Sequence, residues 1–265
     1  MTIIDKGEAP ELDVGAGLET VPHAGRRTLT GYLFMPAVLA AVLVALYLWV
    51  SRQELDSLEQ RRINADSITT AVTDHVVLTL VSTVLVLAIA IPLGVLLTRP
   101  GLGPVGRPAI GVFNIGQALP TIGLLALAAL VWDIGFWPAV VGLVAYTVLP
   151  VLRNTMVGLQ QVDPAVIESA RGMGMTRRTV LLRIELPLSV PIIMAGVRTA
   201  LVINVGTATL ATFVGAGGLG DIIVAGTSAS RELVIIVGAV LTAVLALLVD
   251  YVAGVAEDLL RPKGL

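Results

Sequence analysis

The residues whose types could do chemistry are polar groups set in an apolar chain, and they assemble no catalytic set. Glu168, Ser169, Ala170, Arg171, Gly172 and Gly174 occupy the largest polar interruption, Arg153 to Pro187. Asn114, Gln117 and Thr121 recur at spacings of three to four, which puts them on one face of a helix broken at Pro120. Asn204 and Thr207 stand within a later apolar run. Such side chains can line an aqueous path across a membrane, or they can serve helix packing. The Pro120 break favours the first set for a path, because irregular backbone is tolerated where it borders a cavity. Gly215, Gly217, Gly218 and Gly220 satisfy a G-x-G-x-x-G spacing. A dinucleotide site needs a strand before that spacing and a βαβ unit around it. Here an apolar helix precedes it, so the glycines read as a tight, re-entrant outer turn and candidate outer gate.

Several chemistries are excluded. The chain has no cysteine, hence no disulfide, iron–sulfur cluster or thiolate metal site. His23 and His75 lie in no metal-binding pattern, so no metal site is expected. Lysine occurs only as Lys6 and Lys263, which rules out a P-loop. ATP, if used, must be bound by another chain. A net charge of -2 gives no basic face for nucleic acid.

The elements that must position these residues are membrane helices. The chain is 56% hydrophobic and 14% charged, with a mean hydropathy of +0.92; soluble domains carry about 25% charged residues. Six apolar runs approach the roughly 20 residues that cross a bilayer: Tyr32–Val50, Val76–Leu97, Ile110–Val131, Phe136–Leu152, Leu188–Val214 and Leu233–Ala253. The fold class is therefore all-α and integral to the membrane. Residues 1–30 read as a disordered tail, 31–68 as a first helix and outer loop, 69–255 as the transmembrane domain, and 256–265 as a second tail. With the N-terminus inside, twelve Lys and Arg fall in inner segments and four in outer ones, with Arg198 inside a span. That bias places both termini, and the 153–187 insert, in the cytoplasm. Trp49, Trp132 and Trp137 then mark the outer interface. Arg198 either snorkels to the inner boundary or pairs within the bundle.

Within the insert, Asp163-Pro164 signals a helix start, Gly174 a helix end, and Thr176 a second cap, with that second helix stopping before Pro187. Val166, Ala170 and Met173 share one face of the first helix. A two-turn helix has no stability of its own and must pack on something, the membrane surface or a partner.

The string Glu168-Ser169-Ala170, three residues, Gly174, nine residues, Ile184-Glu185-Leu186-Pro187 resembles the "EAA" loop of permease subunits of ABC importers. Ser169 departs from the family's alanine by a small-for-small change. Further strings, including Ala195 to Ala200 and Gly215 to Asp221, resemble the branch that carries glycine betaine, carnitine, choline and proline. The resemblance implies a cytoplasmic two-helix coupling insert between spans four and five that docks on a separate ATP-binding subunit. It implies two such subunits, which bind ATP and Mg, a second permease as homo- or heterodimer, and an extracytoplasmic substrate-binding protein. It implies that Glu168 anchors the docking helix, that Arg171 faces the partner, and that Gly174 allows the turn. This chain itself would bind no cofactor and be no enzyme. Aromatic residues are only 4% of the chain, too few for a quaternary-ammonium cage here and in keeping with a high-affinity site on the binding protein. The competing reading is an ion-coupled secondary transporter or channel. That class shows intramembrane acids or paired broken helices, and it leaves the insert unexplained.

Overall fold

A computed structural model describes residues 29–99, 101 and 103–260. The N-terminal segment expected to be a disordered tail lies almost entirely outside these residues. The described elements are helices throughout: α1 (Leu29–Val50), α2 (Ser57–Arg62), α3 (Ala65–Leu97), α4 (Gly103–Ala118), α5 (Thr121–Trp132), α6 (Phe136–Gln160), α7 (Pro164–Gly172), α8 (Arg177–Val180), α9 (Leu186–Ala208), α10 (Leu219–Ser228) and α11 (Glu232–Leu260). A π-helical turn, Leu181–Glu185, joins α8 to α9, and a 3-10 turn, Thr209–Val214, follows α9.

Five of the described helical runs are long and apolar enough to cross a membrane: Gly31–Val50, Ala65–Leu97, Phe136–Gln160, Arg177–Val214 and Glu232–Leu260. The third of the six expected spans is a broken pair. Pro120 adopts φ -55° and ψ 129°, so α4 stops at Ala118 and α5 begins at Thr121. Neither half alone has the roughly 20 residues a crossing needs.

Three helices form the centre. Val86, Ala90 and Leu97 of α3, Val148, Val151, Leu152 and Met156 of α6, and Ile193, Val197 and Ala200 of α9 make one buried cluster. Glycines let these helices approach. A methyl group at Gly94 would lie 2.7 Å from Thr155 Cγ2, and one at Gly196 would lie 2.9 Å from the Pro150 carbonyl. In lipid, where apolar burial between helices gains little, this close fit is the main source of attraction. A second cluster joins Leu78, Leu125, Ala139, Val140, Leu143, Ala208, Ala211 and Val214 at the other end of the bundle.

Helix α1 is peripheral. Leu39 is its sole fully buried side chain among those described. Its ties run to α11, where the Tyr251 hydroxyl donates to the Tyr32 carbonyl (2.8 Å) and the Tyr32 hydroxyl donates to Asp258 (3.1 Å). Helix α2 is closed by a capping box in which Asp56 accepts the Leu58 and Glu59 N–H groups, and Arg231 clasps Asp56 at 2.6 Å. The Glu59 N–H first, then that of Leu58 and the Arg231 and Arg61 charges, hold the Asp56 carboxyl below its usual range.

Three boundaries differ most from the sequence expectation, one of them at α11, which runs to Leu260 and so takes residues 256–260 of the expected second tail into the last helix. Helix α3 starts eleven residues before Val76, because Asn64 accepts the Ser67 N–H and caps it there. Helix α6 continues to Gln160, so Arg153 to Gln160 are part of a membrane helix, not of the insert.

Candidate functional site

The insert proper is α7, its turn, and α8. Asp163 Oδ1 accepts the Ala165 N–H at 2.8 Å, and Pro164 opens the helix where its missing N–H costs nothing. The end is a Schellman motif: the Met175 N–H reaches the Ala170 carbonyl (3.2 Å) and the Gly174 N–H reaches that of Arg171 (3.0 Å). Gly174 takes φ +86°, which a residue with a side chain rarely adopts. Glu168, Ser169, Arg171, Gly172 and Gly174 are exposed, and Ala170 is buried. The packed face is Ala170 with half-buried Ile167. Val166 and Met173, expected on that face, are 42% and 72% exposed and point away from the subunit. α7 thus offers charges and apolar groups outward together.

The second helix of the insert does not stop before Pro187. α8 runs through the π-helical turn directly into α9, with Pro187 in the first turn of α9. A proline ring clashes with the carbonyl four residues back in an α-helix; the wider turn just before it gives that ring room. The turn also directs Glu185 inward. Its carboxylate is buried and accepts from Arg99 Nη2 at 2.7 Å. Arg99 also donates to the Val95 carbonyl and to Thr98 Oγ1, closing the end of α3. One ion pair therefore ties the end of α3 to the π-helical turn that joins the insert to α9.

The pathway candidates separate into two groups. Asn114 accepts from Arg153 Nη2 (2.8 Å), and Gln117 Nε2 donates to the Tyr146 carbonyl (3.1 Å), so both join α4 to α6. Asn114 and Pro120 are exposed, while Gln117 and Thr121 are partly so. Asn204 is 1% exposed and faces α3, where its Nδ2 lies within hydrogen-bond distance of the Thr79 carbonyl, Ser82 Oγ and Thr83 Oγ1. The Thr207 hydroxyl donates back to its own helix at Ile203 (2.8 Å).

The glycine turn is a packing device. Gly218 follows φ +101°, and a Cβ there would meet His75 Nδ1 at 3.0 Å. A Cβ on Gly220 would lie 2.0 Å from the Thr209 carbonyl oxygen. Gly215 and Gly217 also adopt positive φ, and Gly217 lies against the Asp74 carboxylate. Fully buried His75 is the centre of this end. Its Nδ1 accepts the Leu219 N–H at 3.2 Å, which leaves the ring proton on Nε2 to donate to the Val205 carbonyl at 3.0 Å. One side chain thereby pins α3, α9 and the start of α10.

Arg198 pairs within the bundle. It grips Asp250 through two hydrogen bonds of 2.9 Å and reaches Glu257 at 3.3 Å, joining α9 to α11. All three side chains remain 24–30% exposed. Among the described residues no cluster of three metal-ligating side chains occurs.

A helical membrane bundle bearing a short exposed helix at one end has known counterparts. The sequence profile of the "Binding-protein-dependent transport system inner membrane component" family matches residues 90–263. The chain belongs to this family. It is 43% identical over 192 residues to the choline transport system permease protein OpuBB of Bacillus subtilis, covering 72% of this chain and 88% of that one. It is 44% identical over 192 residues to the glycine betaine/carnitine/choline transport system permease protein OpuCB of the same organism, with the same coverage. Its fold resembles a chain of the inward-facing MetNI methionine ABC transporter, with a TM-score of 0.65 and 26% identity over 72% of this chain and 95% of that one. The permease is thus a multi-pass membrane subunit of an ABC importer, and ion coupling is set aside.

Sequence reasoning missed three features of this permease: the His75 pin, the Arg99–Glu185 pair and the inward partners of Asn204. The separations involved, 130 and 144 residues for His75 and 86 for Arg99, leave no local pattern. The one signal was a histidine next to an acid at the head of an apolar run. Replacing His75 with phenylalanine keeps a flat ring but removes both ring nitrogens and strands the Leu219 N–H in the interior. The expected cost is about 2–4 kcal/mol, from an unsatisfied buried donor and a lost second bond. For a chain of this size that lowers the melting temperature by roughly 4–16 °C, to be read by thermal unfolding in detergent.

Proposed function

We propose that this permease forms half of the path by which a small osmoprotectant, such as glycine betaine, carnitine, choline or proline, is imported at the expense of ATP. The observation that carries this reading is α7: a capped, exposed helix at one end of a membrane bundle whose relatives are named as choline and glycine betaine permeases. Two ATP-binding subunits would hold the Mg and ATP, each seated on one α7 of a permease pair. That pair is either two copies of this chain or this chain with a second permease. The Lys and Arg bias supports the α7 end, and both termini, on the cytoplasmic side of the cell membrane. A binding protein would then deliver solute at the end that holds the glycine turn. There Gly215, Gly217, Gly218 and Gly220 serve as outer gate. Asn114, Gln117, Pro120 and Thr121 are the nearest polar set to the path, because Asn114 and Pro120 stay exposed although α4 is bound to α6. Asn204 and Thr207 act behind them, holding α9 in position.

The test is uptake by vesicles containing the permease with its ATP-binding and substrate-binding partners. Labelled glycine betaine, choline, carnitine and proline are each supplied, with ATP inside or absent. Accumulation of at least one of them only with ATP and only with the ATP-binding subunit is the expected result. Equal accumulation without ATP overturns the reading.

A further inference from the structure

Where the end of α3 meets α6, α7 and α8, the fold leaves a cavity of about 570 Å³. Four arginines from three separate elements border it: Arg99 after α3, Arg171 on α7, and Arg177 and Arg178 on α8. The one carboxylate in its lining is Glu185, and Arg99 already holds that at 2.7 Å. Among the described residues no acid pairs with Arg171, Arg177 or Arg178. Three cations are thus drawn around one space with no carboxylate among the described residues to neutralise them. Like charges so placed repel, and the repulsion is relieved when an anion enters.

The rest of the lining limits what that anion is. Leu159, Ile167, Val180 and Leu181 make an apolar wall. Leu96 and Leu182, adjoining the lining in sequence, are 52% and 53% exposed on membrane-spanning helical runs. A free, fully hydrated anion gains nothing from such a wall. A phosphodiester joined to glycerol and acyl chains fits both halves, since guanidinium groups fork onto phosphate oxygens while the first methylenes lie on leucine. The position agrees, because Arg99 ends a membrane helix while Arg171, Arg177 and Arg178 belong to the insert.

We propose that this cavity binds the phosphate headgroup of an anionic phospholipid. The bound phosphate bridges the end of α3 to α7 and α8, as a second tie beside the Arg99–Glu185 pair. The position of the docking helix then depends on the anionic lipid content of the bilayer.

The full chain, purified in non-ionic detergent, is incubated with phosphatidylglycerol, phosphatidylcholine or inorganic phosphate, and bound species are weighed by native mass spectrometry. Phosphatidylglycerol retained at least about tenfold over phosphatidylcholine is the expected result, with a drop of about tenfold in an Arg177→Gln/Arg178→Gln variant. Both side chains are exposed and make no hydrogen bond or ion pair among the described residues, so the variant should melt with the parent protein. An Arg177→Lys/Arg178→Lys variant keeps the charge and should recover most of the retention. Equal retention of the two lipids, or undiminished phosphatidylglycerol on the glutamine variant, overturns the proposal. If inorganic phosphate binds and phosphatidylglycerol does not, the site takes a free anion and the lipid assignment fails. If the ATP-binding subunit, once added, expels all bound phosphatidylglycerol, the arginines serve that partner's acidic surface, and the assignment fails equally.

Discussion

Gly220→Ala is expected to leave little folded permease. The added methyl group would stand 2.0 Å from the Thr209 carbonyl oxygen, and that oxygen is backbone in the 3-10 turn that follows α9. A flexible side chain could swing aside; a carbonyl locked between α9 and the glycine turn cannot. Relief requires α10 to move off the 3-10 turn. That movement would break the His75 bond to the Leu219 N–H and open the cluster of Ala71, Leu219, Ile222 and Val234. Overpacking costs about 1–3 kcal/mol where neighbours can yield and more where they cannot, so a loss of at least about 3 kcal/mol is expected. Gly206→Ala is the matched control. No atom lies within 4 Å of its Cβ position, and alanine favours a helix over glycine by up to about 1 kcal/mol. Thermal melting with size-exclusion profiles of the two variants separates close packing from a general intolerance of substitution. Equal melting of Gly220→Ala and the parent protein would show the turn to be far softer than its geometry.

Glu168→Lys should do the opposite, with the fold intact and transport gone. Glu168 is exposed on α7, and its side chain makes no hydrogen bond among the described residues. Asp163 and the Schellman motif hold the helix from its two ends without it. Reversing a charge in a desolvated contact costs about 2–5 kcal/mol, or roughly 30- to several-thousand-fold in affinity. ATP-driven uptake and co-purification of the ATP-binding subunit should fall together, while membrane insertion and melting stay as before. Undiminished association would remove α7 as the docking element.

The two residues differ in how far the sequence revealed them. α7 is almost fully legible, because its signals are local: Asp163-Pro164 fixes the start, Gly174 the end, and Thr176 the next cap. The membrane helices follow from continuous apolar runs, and Pro120 marks the single broken one. What sequence reading missed is non-local. Helical period put Val166 and Met173 on one face with Ala170, but the wall of the cavity pairs Ala170 with Ile167 and leaves those two outward. His75 looks idle until α9 and α10 bring a carbonyl and an N–H to its two nitrogens. Arg198 left two readings open, and only the approach of α11 brings Asp250 and Glu257 to it. The glycines of residues 215–220 were legible as a close approach of backbone, but not as an approach to Thr209 and His75.

The π-helical turn at Leu181–Glu185 makes residue count itself part of the address. Each residue of an α-helix adds about 100° and 1.5 Å. The turn holds one residue more than the α-helix would use, and that surplus sets the phase between α9 and α8. With an ordinary helix in its place, Arg177 and Arg178 would rotate by about 100° relative to α9. Val180, now 1% exposed, would swing out of its cavity wall. Every side chain of the motif could be kept and the docking helix would still be aimed elsewhere. The spacing between Gly174 and Pro187 is in this sense a gear setting, held by length where composition has latitude.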